Sequence, residues 1–82
     1  MLEIGKKYHI VLKAADYFPV QYMVFTVRQI KHFVLENSSE TYYIGDGQFT
    51  NAVWVEQDIL TTRFVFGGDI EFSEEVNENP AS

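Results

Sequence analysis

The sequence contains no cysteine, only two prolines and no long apolar run. Without cysteine the chain can form neither a disulfide nor a thiolate metal site. A membrane-spanning helix needs about 20 consecutive apolar residues, and the N-terminal residues Met-Leu-Glu-Ile-Gly-Lys-Lys lack the apolar stretch of a signal peptide. These absences predict a cytoplasmic protein without a membrane segment.

Positive charge is also scarce, because six Lys and Arg stand against twelve Asp and Glu and leave a net charge of −6. Residues 1–35 carry five basic and two acidic side chains, a balance of +3, whereas residues 36–82 carry one basic and ten acidic side chains, a balance of −9. This distribution argues against a protein that binds nucleic acid by neutralising phosphates. The acidic half is either a solvated surface or a face that meets a basic partner.

Aromatic residues are abundant for a chain of 82 residues, with seven Phe, five Tyr and one Trp. A single domain of this size buries only about 60–65% of the surface that its unfolded chain exposes, so its core is thin. Some of the rings are therefore expected at the surface. Self-association as a homo-oligomer is one way for such a small domain to bury more surface.

Alternating apolar and polar residues predict β-strands along most of the chain. Residues 4–13 place Ile4, Tyr8, Ile10 and Leu12 on one face of a first strand. Residues 22–36 form the longest such stretch, in which Met23, Phe25, Val27, Phe33 and Leu35 share one parity. The polar residues at 28–32 interrupt this pattern and predict a sharp bend, a bulge or a tight turn.

Shorter segments complete the predicted sheet. Strands are expected over residues 41–44, 52–57 and 59–66, and a glycine-containing loop is expected over residues 45–51. A three-residue Gly-Gly-Asp loop at 67–69 would pair Phe66 with Ile70 and Phe64 with Phe72, which keeps one face apolar. Residues 1–72 then form a single β domain, and the acidic residues 73–82 form a disordered tail.

This pattern predicts a mainly β fold, a small barrel or sandwich of five or six strands. A Gly-Lys-Lys entry, a bent strand leading into residues 32–37 and a late β segment around Asp58-Ile59-Leu60 resemble the element order of Sm-like domains and other small SH3-like barrels. The resemblance covers roughly residues 4–66 and implies a barrel that assembles into rings and binds uridine-rich RNA.

The residues that would form the RNA pocket of an Sm-like protein do not match. That pocket uses an Asp and an Asn in the turn between strands two and three, where this sequence has Gln29-Ile30-Lys31-His32. It also uses an Arg-Gly pair before the last strand, whereas Arg63 is followed by Phe64. The glycine that permits sharp bending of strand two is missing as well. The resemblance therefore implies the fold without the RNA pocket.

No constellation for catalysis or metal binding is recognisable. His9 and His32 have no partner at a metal-ligand spacing, and Asp46 lacks the spaced oxygen ligands of a calcium loop. The glycines at 45, 47, 67 and 68 match no phosphate-binding loop. With no nucleophile–base pair to argue for, the sequence predicts no catalytic residues, no metal, no cofactor and no enzymatic activity.

The predicted function is a binding module, most simply a protein–protein interaction, inhibitor or adaptor domain, by analogy with small accessory proteins of viruses and mobile elements. Its partner is expected to be a protein with a basic surface, such as a protein that handles nucleic acid, which exposed rings would anchor and carboxylates would attract. The predicted contact residues are Tyr17, Phe18, Tyr22, Tyr42, Phe49, Trp54, Asp69, Glu71, Glu74 and Glu75.

Two other functions are left open. An Sm-like oligomer could bind single-stranded RNA or DNA by stacking bases on aromatic side chains. A structural or small-ligand-binding protein could assemble through an edge strand.

Overall fold

A computed structural model describes residues 1–15 and 19–77, and it confirms the mainly β fold. Five antiparallel strands form a single sheet, and a 3₁₀ turn over Gly67–Asp69 joins the last two. The strands are β1 (Lys7–Leu12), β2 (Gln21–Leu35), β3 (Ser38–Thr50), β4 (Thr61–Phe66) and β5 (Ile70–Glu75).

The strand order β4-β3-β2-β1-β5 puts the last two strands at opposite edges of the sheet. The predicted hairpin that pairs Phe66 with Ile70 and Phe64 with Phe72 is therefore wrong. Phe72 pairs with Val11 of β1 instead, and Phe64 pairs with Ile44 of β3. Only three residues connect two opposite edges, so the sheet must curl strongly, although β4 and β5 form no ladder with each other in the described residues.

One face of the curled sheet holds the core. Ile10, Met23, Phe25 and Val27 are almost completely buried there, as their alternation in the sequence predicts. Tyr8, Tyr43, Val65 and Leu2 complete this cluster. Ile4 does not join it, contrary to prediction, because it lies in a turn before β1 and is 61% exposed.

Two tyrosine hydroxyls attach the N-terminal residues to the core. The Tyr8 hydroxyl accepts a 2.9 Å hydrogen bond from the backbone N–H of Glu3, and the Tyr43 hydroxyl accepts a longer one, 3.4 Å, from the N–H of Leu2. These bonds hold the Leu2 side chain over the core, where it is 4% exposed.

We expect Tyr8→Phe to lower the free energy of unfolding by about 1 kcal/mol, because it leaves the Glu3 N–H without its acceptor. Urea unfolding followed by circular dichroism measures this loss. Tyr43→Phe makes the same change at an equally buried ring with a longer hydrogen bond, so its loss should be smaller. Equal losses for the two variants would contradict this account.

A β-bulge at Arg28 decides which side chains of β2 reach the core. Val27 pairs with Gly45, but Gln29 pairs with Ile44, so Arg28 is an extra residue in the ladder. A one-residue insertion sends every later side chain to the opposite face. Phe33 and Leu35, which share the parity of Phe25 in the sequence, consequently lie on the face away from the core and are 47% and 52% exposed. Of the three predicted alternatives, the bulge is correct.

The glycines of the predicted loop at 45–51 lie inside β3 instead, so that loop prediction is wrong. A Cβ on Gly45 would overlap the backbone carbonyl of Thr26 on the neighbouring strand, beside the bulge. A Cβ on Gly47 would lie 2.9 Å from Met23 Sδ and 3.2 Å from the Phe25 ring. These glycines allow two strands and the core to approach closely and do not mark a turn.

Two further predictions are corrected in the second half of the chain. The strand expected over residues 52–57 is a loop, which has only an isolated bridge between Thr50 and Glu56. The tail expected from Ser73 is wrong for residues 73–75, because Ser73, Glu74 and Glu75 belong to β5 and pair with β1. Residues 78–82 lie outside the described residues.

Candidate functional site

The face of the sheet opposite the core, here called the outer face, carries most of the partly exposed rings. Near its centre lies the Arg28–Asp46 ion pair at the bulge, with Nη2 and Nε of Arg28 at 2.7 and 2.9 Å from one carboxylate oxygen. An aromatic cluster beside β1 and β5 lies to one side of this pair, and an apolar groove beside β4 lies to the other.

Strand register assembles the aromatic cluster. Val11 of β1 pairs with Tyr22 on one side and with Phe72 on the other, and directly paired residues share a face. In the same way, His9 pairs with Val24 and with Glu74. Tyr22, Phe72 and Glu74 therefore lie together on the outer face, although up to 52 positions separate them in the sequence.

The loop between β3 and β4 adds Trp54 to this cluster. The indole stacks on the His9 ring at 4.1 Å with an interplanar angle of 7°, and the Tyr22 ring meets it edge-on at 5.7 Å. We call the surface formed by His9, Tyr22, Trp54, Phe72 and Glu74 the aromatic–acidic face.

Asn51 organises the backbone that positions Trp54. Its side-chain oxygen accepts hydrogen bonds from the N–H groups of Val53 and Val55, both 3.0 Å, and its carbonyl accepts one from the N–H of Trp54, also 3.0 Å. Trp54 has φ +66°, a left-handed conformation that costs a bulky residue about 1–2 kcal/mol. The Asn51 contacts and the ring stack offset this cost, so the loop holds the indole against the sheet.

Other carboxylates border the aromatic–acidic face along the edge of the sheet. Asp69 and Glu71 are exposed at the start of β5, and Glu75 at its end lies 3.4 Å from Lys6 Nζ. Lys6 also pairs with Glu3 at 3.0 Å, and hydrogen bonds to Glu3 and Glu75 raise the pKa of this lysine. The four predicted acidic contact residues thus lie along one edge, and Glu75 among them forms an ion pair with Lys6.

A cavity of about 300 Å³ lies under the β3–β4 loop. Its lining contains charges of both signs, Lys7 and Arg28 on one hand and Asp46 and Glu56 on the other. Trp54 also lines it. Arg28 and Asp46 already neutralise each other, so this lining favours no particular ligand charge. No group of three or more His, Asp or Glu able to hold a metal ion occurs among residues 1–15 and 19–77.

The apolar groove on the other side of the ion pair has a volume of about 470 Å³. Phe33 and Leu35 of β2, Tyr42 of β3 and Phe64 of β4 form its apolar surface, with Lys31 and Glu40 also in its lining. The Tyr42 ring packs between Phe33 and Phe66, at 5.4 and 5.0 Å. Its hydroxyl donates a 3.0 Å hydrogen bond to Glu40, which raises the pKa of the phenol, and burial and the charge of Asp69 add to this increase.

The structure distributes the predicted aromatic contact residues over several environments. Tyr22 and Trp54 come together, whereas Tyr42 lies in the groove. Phe49 is partly buried and packs against the core, with the Arg63 guanidinium 4.6 Å from its ring centre. Tyr17 and Phe18 lie outside the described residues.

Sequence reasoning missed Phe33, Leu35, Phe64 and Phe72 as surface residues. The first two follow from the bulge at Arg28, which lies within the polar interruption at residues 28–32. Phe64 and Phe72 were assigned to a hairpin face that does not exist. The parity change at a bulge was the available signal. To use it, one must know which residue is the inserted one.

In the described part of the chain, no helix has the length and hydropathy needed to cross a membrane. Comparison with protein-family models, with curated proteins and with solved structures gives no significant match.

Proposed function

We propose that this protein is a non-enzymatic binding domain whose aromatic–acidic face meets another protein with a basic surface. The observation that carries the proposal is the register of β1, β2 and β5, which gathers Tyr22, Phe72 and Glu74 on one surface. Tyr and Trp side chains are frequent anchors of protein interfaces because they combine large contact area with a polar end.

Electrostatics favour a basic partner. Glu74 lies on the aromatic–acidic face, Asp69 and Glu71 are exposed near the start of the same strand, and the whole chain carries a net charge of −6. Complementary charge of this kind accelerates encounter and selects partners, and its effect declines as salt screens it. The same charge opposes binding to the phosphates of nucleic acid.

For the fold, we propose a curled, half-open barrel of the SH3-like or Sm-like kind. The support is the short connection Gly67–Asp69 between strands at opposite edges of one sheet. Residues 29–32, which were matched to the Sm-like RNA-binding turn, lie inside β2, and residues 36–37 connect β2 to β3. We therefore rank single-stranded RNA or DNA binding second, and a gel shift of a mixed oligonucleotide pool at low salt tests it.

The charge reversal Glu74→Lys should abolish most binding of the partner, because it places a like charge where a basic surface docks. Affinity capture from the organism that encodes the chain, with wild type and variant in parallel, identifies proteins that depend on this position. We expect them to be basic and to elute as salt increases. Glu36→Lys is the control, since it makes the same change at an exposed residue near the tip of the β2–β3 hairpin.

Two results would contradict the proposal. One is a set of bound proteins that both lysine variants retain equally. The other is binding that high salt leaves unchanged, which would remove the electrostatic part. Circular dichroism of each variant ensures that the comparison is made between folded proteins.

A further inference from the structure

The outer edge of β4 is unpaired in the part of the chain that the structure describes. Strand β4 bonds to β3 along one side, and no strand pairs with its other side among the described residues. A free strand edge presents a row of N–H and C=O groups that can pair with another strand. Proteins commonly protect such edges with charged side chains, prolines or bulges.

The two edges of this sheet differ in that protection. Strand β5 carries Glu71, Glu74 and Glu75, whereas β4 has the sequence Thr-Thr-Arg-Phe-Val-Phe. Its one charged residue, Arg63, is occupied within the chain, because the guanidinium lies 2.8 Å from Asp58 and donates to the carbonyl of Gly47 at 3.0 Å. The β4 edge is therefore locally neutral and unprotected in a molecule that is otherwise acidic.

Exposed apolar surface continues from this edge onto the outer face. Phe64 is 72% exposed, and it borders the apolar groove that Phe33, Leu35 and Tyr42 line. Phe66 lies next to Tyr42 at the same end of the sheet. An open backbone edge and an apolar groove that meet along one strand are two parts of one docking surface.

We propose that a second copy of this chain docks here, with the two β4 strands pairing antiparallel about Phe64, so that the two sheets become one. A twofold interface requires a surface that is complementary to itself, and β4 meets this condition. Pairing about Phe64 sets the two Phe64 rings side by side, puts Thr62 opposite Phe66 and puts Arg63 opposite Val65. Pairing about Arg63 would instead set two like charges opposite each other.

Charge placement allows a second copy to dock at this edge. Two chains of net charge −6 repel each other, so they can associate only where little uncompensated charge is brought together. At the β4 edge Arg63 and Asp58 neutralise each other, and Glu74 and Glu75 lie at the end of β5 away from the Gly67–Asp69 connection. The aromatic–acidic face is left open in this arrangement, so each dimer presents two copies of it.

Analytical ultracentrifugation of the full chain over a concentration series tests the proposal. We expect a reversible dimer, and we expect Phe64→Lys to raise its dissociation constant at least about thirtyfold, the size of effect found at interface hot spots. Val34→Lys is the matched control, because Val34 is 86% exposed on the other face of the β2–β3 hairpin. This control should dimerise like wild type.

A third variant distinguishes the two ways in which strand edges can join. Phe72→Lys changes a 52% exposed ring on β5 and should leave the dimer intact. Equal loss in Phe72→Lys and Phe64→Lys would show head-to-tail pairing of β4 with β5 and would overturn the twofold arrangement. A chain that stays monomeric at about millimolar concentration, where even weak complexes form, would overturn the proposal as a whole.

Hydrogen exchange of the wild-type chain gives a readout that needs no variant. Amides of β4 should exchange more slowly at high than at low protein concentration, whereas amides of β5 should not change. Concentration-dependent protection at β5 alone, or a dimer without protection at β4, would assign the interface to another surface. Loss of partner binding in Glu74→Lys with an intact dimer would separate this inference from the proposed function.

Discussion

Gly45→Ala should lower the free energy of unfolding by at least about 3 kcal/mol, the upper range for forcing atoms into a packed interior. The added Cβ would overlap the carbonyl of Thr26 and come within 3.2 Å of the Arg28 backbone nitrogen. These are backbone atoms held by the central ladder between β2 and β3, so no side-chain rotation can relieve the clash. A domain of this size has a total stability of about 4–12 kcal/mol, so the substitution should remove at least about a quarter of it.

Gly5→Ala provides the matched control for this substitution. A Cβ at Gly5 meets nothing within 4 Å, but φ there is +86°, so the cost is limited to about 1–2 kcal/mol for a left-handed backbone. Urea unfolding of both variants compares a steric penalty with a conformational one. Similar losses at the two positions would show that the β2–β3 ladder can shift to admit a methyl group.

Phe25→Ala should cost about 3–5 kcal/mol, the range for truncating a fully buried aromatic side chain. Phe25 is completely buried at the centre of β2, between Tyr8 of β1 and Gly47 of β3 in the ladders. Its loss removes apolar contacts and leaves a cavity at the centre of the core cluster.

The same substitution at Phe64 should change stability by no more than about 0.5 kcal/mol, as for most surface positions. Phe64 is 72% exposed, so its ring makes few contacts in the folded monomer that unfolding could break. Both variants are compared in dilute solution, where the proposed dimer is dissociated. Comparable losses for Phe25→Ala and Phe64→Ala would mean that the core does not lie where the sheet places it.

The core was predictable because its alternation is local. Tyr8, Ile10, Met23, Phe25 and Val27 are buried as period two requires. The same rule failed beyond Arg28. One inserted residue cannot be recognised from composition, but it moves every later side chain of the strand to the opposite face of the sheet. Phe33 and Leu35 became groove residues for that reason.

Glycine misled the prediction for a different physical reason. A glycine next to an aspartate is typical of a turn, but it is equally the residue that a close strand approach requires. Gly45 and Gly47 serve the second purpose, and only the position of Thr26 and Met23 on the neighbouring strand reveals it. Trp54 was misplaced because Asn51 hydrogen bonds hold a strand-forming residue in a loop.

The candidate site was the least predictable part. The acidic residues near β5 are neighbours in sequence, so their grouping was visible. The meeting of Phe72 with Tyr22 was not, because it depends on β5 crossing to β1, and the preferred local hairpin gave a plausible apolar face of its own. Long-range strand order cannot be deduced from local alternation.

Pairing of β5 with β1 also constrains the order of folding. The β2–β3 ribbon joins neighbouring segments and can form early, but β1 gains its second partner only when residues about 60 positions later arrive. Closing a loop of that length is slow compared with forming a hairpin. During synthesis on the ribosome, one edge of β1 therefore stays unpaired until Ile70–Glu75 has left the exit tunnel.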